Sequence, residues 1–372
     1  MLAWALRHRR PLLAVAGALF GAVVAVPPIG NGDPQLFAAG GDTLLSGRWL
    51  HALDDPTLQV GPLHLLFAGV AGMIARAVSL DRQMGISAAI GAAGGLGTGL
   101  VAGRMRDAGR RWRPHGRSER PAVELFAGTI AIFGGPVWVA AFSGHSSELF
   151  IPLLWLMAAV AARRERTFVA ALLLAAAGGC KLWGSLGAPI LLLDRNAIRV
   201  GMALALQAAL TAALYLPFFL WGDAGTLSFE WQVARNSAVG LLTDRASFSW
   251  AARAIEGAII VGIGTIVALM ARRSPEAVWA VPLALAAARF LPDPLAYYYY
   301  WLPVGTIGVI ALVRAMPPRP SWLAGAAMAV FYATLLPFFF LHGTANALWI
   351  IAAGAGSIAI AVAAARRTRA GL

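Results

Sequence analysis

Apolar residues in this chain come in runs long enough to cross a bilayer, with the polar residues confined to short breaks between them. Runs near 11–27, 84–103, 121–142, 198–220, 251–271, 276–292, 297–313, 321–341 and 347–365 approach the roughly 20 residues a helix needs to span about 30 Å of hydrocarbon. The stretches 62–80, 149–162 and 167–193 are less regular. In lipid every backbone amide must be satisfied within the segment, so such runs predict helices. The fold class expected is all-α, a polytopic transmembrane helical bundle. No internal repeat and no separate soluble domain is legible, so residues 1–372 read as a single integral membrane domain.

Basic residues decide how the irregular stretches are threaded. Arginine clusters at 7–10, 104–120, 163–166, 195–199, 272–273, 314–319 and 366–369 hold 22 of the 29 arginines, and the positive-inside rule assigns them all to the cytoplasmic side. A full crossing at 62–80 would force the cluster at 104–120 outside. The stretch is therefore expected to lie along the outer leaflet or re-enter it, an interfacial helix in the first outer loop. The run 167–193 has basic residues at both flanks, which predicts two short legs with Lys181 at the outer apex. The count becomes about 12 membrane-crossing segments with both termini cytoplasmic. Outer loops fall at 28–83, 143–148, 221–250 and 293–296, and residues 251–372 form C-terminal helices. The N-terminal basic flank and apolar run read as a retained first span rather than a cleaved leader.

Composition agrees with this solvent. Hydrophobic residues make up 59% of the chain and charged ones 13%, with a mean hydropathy of +0.71, values no soluble domain with a polar surface carries. The formal charge of +13 belongs to the loop arginines, which argues against nucleic acid as a partner. The single cysteine, Cys180, excludes an internal disulfide.

Candidate chemistry gathers in the expected outer loops. Asp33, in Gly30-Asn31-Gly32-Asp33-Pro34, follows the first span; Asp-Pro is also an ordinary helix start, and a capping aspartate can still face a site. Gln59 and His64 flank a Gly-Pro break and could bind a headgroup or a sugar. His145 and Glu148 stand at i and i+3, a spacing that allows them to pair; with only two ligands a zinc site is not expected. Lys181 is the only lysine and sits in apolar surroundings, where a charge needs a partner such as a phosphate oxygen. Arg235, in the long loop, could serve the same anion. Tyr298, in the run Tyr297 to Tyr300, could contact substrate or simply belong to an aromatic belt.

In order and place these features resemble the GT-C superfamily of membrane glycosyltransferases. The likeness is greatest to the polyprenyl-phosphate-sugar-dependent branch common in actinobacteria, which includes mannosyltransferases. The residues that carry it are Asp33, Phe37-Ala38-Ala39, Leu44-Leu45-Ser46-Gly47, Gln59-Val60-Gly61-Pro62-Leu63, Gly144-His145, Cys180-Lys181-Leu182-Trp183 and Leu216-Pro217-Phe218. They lie within residues 1–220, which the resemblance makes the catalytic module. It implies Asp33 as general base, a polyprenyl-phosphate-linked sugar donor, a lipid or glycan acceptor, and an extracytoplasmic site in the plasma membrane with no obligatory metal or cofactor. His145 departs from the glutamine frequent in that branch. A transporter or flippase is the alternative, with Lys181, Glu148 and His145 lining a passage and Asp33 only a cap. A catalytically dead scaffold is a third.

Overall fold

The computed structural model describes residues 2–25, 33–110, 120–243, 247–274, 277–315, 322–330, 333 and 341–366. They form helices almost throughout: α1 (Leu2–Arg7), α2 (Arg9–Val24), α3 (Asp33–Leu44), α4 (Pro62–Ala77), α5 (Arg82–Arg110), α6 (Arg120–Phe133), α7 (Pro136–Ser143), α8 (Ser146–Arg163) and α9 (Thr167–Cys180). A 3-10 helix, Leu182–Leu193, comes next. It is followed by α10 (Ala197–Trp221), α11 (Trp250–Ala271), α12 (Ala280–Phe290), α13 (Leu302–Ala315), α14 (322–330) and α15 (Gly343–Arg366). In the loop after α10, strands β1 (Trp231–Gln232) and β2 (Ser247–Phe248) pair antiparallel.

The apolar runs account for these elements, and polar residues end them. Asn196 caps α10 by accepting from the Arg199 amide at 3.0 Å, and Ser249 caps α11 through the Ala252 amide. The apolar run through 121–142 breaks at Gly134–Gly135, where α6 and α7 meet at 49°. Five of the described helices are long and apolar enough to cross a membrane, or six with that bent pair. The remaining apolar chain of the expected 12 crossings lies in shorter helices, including α9, the 3-10 helix Leu182–Leu193 and α12, while α4 occupies the stretch expected to be interfacial. The expected span 321–341 falls mostly outside the described residues.

α8 runs through the buried core, with Leu149, Ile151, Trp155 and Leu156 fully buried. The 18 residues of α8 rise about 27 Å from Ser146 to Arg163, so the helix joins two chemically different ends of the bundle. α9 and the 3-10 helix fold back on each other as two legs. Thr167 at the start of one hydrogen-bonds Asp194 just after the other, and Trp155 of α8 donates to the Gly184 carbonyl at 2.8 Å. Lys181, in extended conformation at φ −162° and ψ 138°, is the turn between the legs. The clusters around Arg163, Arg195 and Arg272 meet at the opposite end, where Arg163 and Arg195 both donate to the Arg272 carbonyl.

Candidate active site

The turn between α7 and α8 builds the first part of the site. Gly144 takes the left-handed conformation at φ 73°, and a Cβ there would meet the Pro34 Cα at 3.0 Å. This glycine both reverses the chain and lets the start of α3 pack against it. Asp33 is thereby brought beside His145, with Asp33 Oδ2 3.1 Å from His145 Nε2. The aspartate side chain is 38% exposed and the histidine side chain 6%. The His145 ring stacks on Tyr299 at 3.7 Å between centroids and meets Phe37 edge-on at 4.9 Å.

Burial works to raise the Asp33 carboxyl, but the His145 hydrogen bond and the positive charges of His145 and Lys181 outweigh it and hold the group below its ordinary value. Burial pushes His145 below the ordinary histidine value, against the pull of Asp33. Beside an ionised aspartate the imidazole donates from Nε2. The buried Nδ1 then has no hydrogen-bond partner among the described residues.

One helical turn further, Glu148 is fully buried and takes three donors. Lys181 Nζ and Trp183 Nε1 reach its Oε1 at 3.1 and 3.3 Å, and Arg289 Nη1 reaches Oε2 at 3.2 Å. Arg289 also lies over the rings of Trp183 and Tyr300, at 4.1 and 4.8 Å from their centroids. Arg289 and Arg253 share Asp293 at 3.7 and 3.6 Å, and Arg253 is 2.6 Å from Glu256. Three cations and three carboxylates thus alternate through one buried cluster, as charges in a low-dielectric interior require.

Lys181, Arg253, Arg289, Glu256 and Tyr300 line a cavity of about 660 Å³, together with Trp183, Trp231, Trp250 and Gln59; most of the remaining wall is apolar. The first outer loop is clamped to this wall. The Gly61 amide donates to the Cys180 carbonyl at 2.8 Å, and a Cβ on Gly61 would lie 2.2 Å from the Gly179 carbonyl oxygen. Gln59 Nε2 donates to Thr226 Oγ1 at 2.8 Å, tying this loop to the one after α10.

The residues expected from sequence therefore separate. Asp33, His145, Glu148 and Lys181 join one continuous cluster, and Gln59 and Lys181 line the cavity. Asp33 and His145 do not line it; they reach it through the Tyr299–Tyr300 ring contact at 4.9 Å. His145 and Glu148 do not pair through their side chains as their spacing allows: the Glu148 amide bonds the His145 carbonyl in the first turn of α8, and each side chain turns to a different partner. His64 is buried away from the cavity, with Nδ1 3.0 Å from Ser146 Oγ, and ties α4 to α8. Arg235 is exposed, and no hydrogen bond or ion pair joins it to the cluster among the described residues. Tyr298 contacts Phe142 and Tyr299, while its neighbours Tyr299 and Tyr300 make the site contacts. The sequence reading missed Arg253, Glu256 and Arg289, three ionisable residues inside apolar runs. That position alone marks such residues.

Among the described residues, one group could hold a metal ion: His51, Asp54 and Asp223, whose ligand atoms lie within 4.8 Å of one another. It lies on the loops outside the cluster around Asp33 and Lys181.

No protein-family model matches the chain. No curated protein matches it. Among solved structures it is similar to the crystal structure of ArnT from Cupriavidus metallidurans in the apo state, with 18% identity and a TM-score of 0.50 over 95% of this chain and 74% of that one. At that identity the likeness is one of fold: the chain has the architecture of a polytopic helical membrane protein like ArnT. Its likeness extends well past residue 220, where the sequence motifs end.

Proposed function

We propose that this protein is an inverting glycosyltransferase that moves a sugar, with mannose the first to test, from a polyprenyl-phosphate donor to a lipid or glycan acceptor at the extracytoplasmic face. The observation that carries this reading is the single cluster linking the half-exposed Asp33 carboxylate to Lys181 and Arg289 at the wall of a largely apolar cavity. The fold likeness to ArnT, an undecaprenyl-phosphate-aminoarabinose transferase, adds support. The pooling of arginines at the other end supports the outward orientation.

The reaction is one displacement. An acceptor hydroxyl oxygen bonds to the anomeric carbon while the bond from that carbon to the donor phosphate oxygen breaks and leaves its electron pair on the phosphate. Asp33 takes the hydroxyl proton, and a carboxylate below its ordinary pKa suits a proton that moves late, once the attacking oxygen has become acidic. Lys181, Arg253 and Arg289 offset the charge growing on the leaving phosphate. The aliphatic and aromatic wall receives the prenyl chain, and His145 fixes the Asp33 carboxylate. Gln59 is placed to meet sugar hydroxyls. The arginine role first assigned to Arg235 passes to Arg253 and Arg289.

The test is Asp33→Asn in purified protein, assayed for transfer from polyprenyl-phosphate sugars. A loss of about 10²- to 10⁴-fold is expected for removal of a general base. Transfer at the normal rate removes Asp33 as the base.

A further inference from the structure

At one corner of the end opposite the candidate active site, charge is arranged on a different principle. Arg163, Arg195, Arg272 and Arg273 come together there, and none of them pairs with a carboxylate among the described residues. Arg272 donates to the carbonyls of Leu192 and Asp194; Arg163 and Arg195 donate to the Arg272 carbonyl at 2.8 and 3.2 Å. The neighbouring carboxylates are already engaged, Asp194 and Glu165 by Arg199 at 2.9 and 3.2 Å. Carbonyl groups orient guanidinium groups without neutralising them, so among the described residues this corner keeps a net positive charge.

Arg195, Arg272 and Arg273 line a pocket of about 500 Å³ whose fourth wall is Leu269. Leu269 belongs to a stripe on α11, with Ile255, Ile259 and Ile266, in which each side chain is 46% to 64% exposed. The spacing of four, seven and three residues keeps this stripe on one helix face, and its last member, Leu269, shares the pocket with Arg273, just past the helix end. An apolar track along a membrane helix thus ends in a basic pocket.

We propose that this pocket is a binding site for an anionic phospholipid, with the phosphate of its headgroup held by Arg195, Arg272 and Arg273 and an acyl chain lying along the α11 stripe. Charge complementarity selects an acidic headgroup, because basic pockets between membrane helices hold acidic lipids. The apolar track selects a lipid over a free anion. The inference is independent of the transfer reaction and of which membrane face this end occupies.

Native mass spectrometry of the full-length protein, titrated separately with phosphatidylglycerol, phosphatidylcholine and inorganic phosphate, tests it. Phosphatidylglycerol should be retained in preference to phosphatidylcholine, and R195Q/R273Q should weaken its retention roughly 30-fold, taking each arginine as one surface charge. R273Q alone guards against misfolding, since that side chain makes no hydrogen bond or ion pair among the described residues; about a fivefold loss is expected. Equal retention of phosphatidylcholine overturns the proposal, as does undiminished phosphatidylglycerol binding in a folded variant. Displacement of the lipid by equimolar inorganic phosphate assigns the pocket to a small anion and overturns the lipid.

Discussion

The buried cluster of the candidate site and the corner around Arg272 carry cations in opposite ways. At the end of the candidate site, Lys181, Arg253 and Arg289 alternate with Glu148, Glu256 and Asp293, and the Glu148 and Asp293 side chains are fully buried. At the corner around Arg272, the Arg163, Arg195 and Arg272 guanidinium groups rest on backbone carbonyls, and the carboxylates Asp194 and Glu165 serve Arg199. Desolvation explains the contrast. A charge taken deep into the bundle needs an opposite charge at contact distance, whereas one at the headgroup boundary is solvated from outside. The first arrangement is pre-organised for a charge that appears during a reaction. The second waits for a charge that arrives ready-made.

The largest expected effect follows from breaking the balanced end. Glu148→Ala leaves Lys181 and Arg289 without their shared buried partner, and removing one member of such a set costs about 3–5 kcal/mol. Thermal or denaturant unfolding in a fixed detergent would show it, and an unchanged midpoint would mean that the cluster is hydrated and the contrast with the other end is false. Lys181→Met should be less damaging to stability, since Arg289 still reaches Glu148 Oε2. Its main effect should be on kcat, lowered about 10²- to 10³-fold if the ammonium stabilises the leaving phosphate. A change confined to KM would assign Lys181 to ground-state binding.

How much of this contrast was readable beforehand depends on the range of the interactions involved. Apolar runs depend on local sequence alone, so the helical membrane class was legible. Basic flanks on both sides of 167–193 implied two legs turning at Lys181, and the chain does turn there. Asp33, Glu148 and Lys181 stood out because each is a charged or polar break beside a span. Their pairings were not legible. Glu148 and Arg289 are 141 positions apart, and His145 and Asp33 are 112 apart, separations over which no periodicity carries information. The local rule suggested His145 with Glu148, and tertiary packing overrode it. Arg253 and Arg289 were hidden for another reason: each sits in a run apolar enough to read as an uninterrupted span.

A smaller effect concerns pH. The folded-state values of Asp33 and His145 both lie below their ordinary ones, so the unfolded chain binds more protons than the native one as pH falls. Stability is then fully present above the ordinary histidine value of 6.5 and declines as pH drops, first because unfolded chains protonate at His145. The Asp33 contribution is lost lower, through the carboxylate range. His145→Phe removes the hydrogen bond that lowers Asp33, so the acid limb of the pH–rate profile should move upward. A limb that stays in place would show that some other group controls it.

The smallest effect belongs to the arginine end and completes the contrast. Arg199 holds the buried Asp194 and the exposed Glu165 with its own side chain about one-third exposed, so solvent competes mainly with the Glu165 pair. Arg199→Ala should cost about 1.5–3 kcal/mol by unfolding midpoint, less than Glu148→Ala although each removes two ion pairs. Asp194 is itself buried but retains the Thr167 hydroxyl and the Asn196 amide as donors, so its charge loses a cation and not its hydrogen bonds. If Arg199→Ala proved as destabilising as Glu148→Ala, the ends would differ in composition and not in how far each is shielded from water.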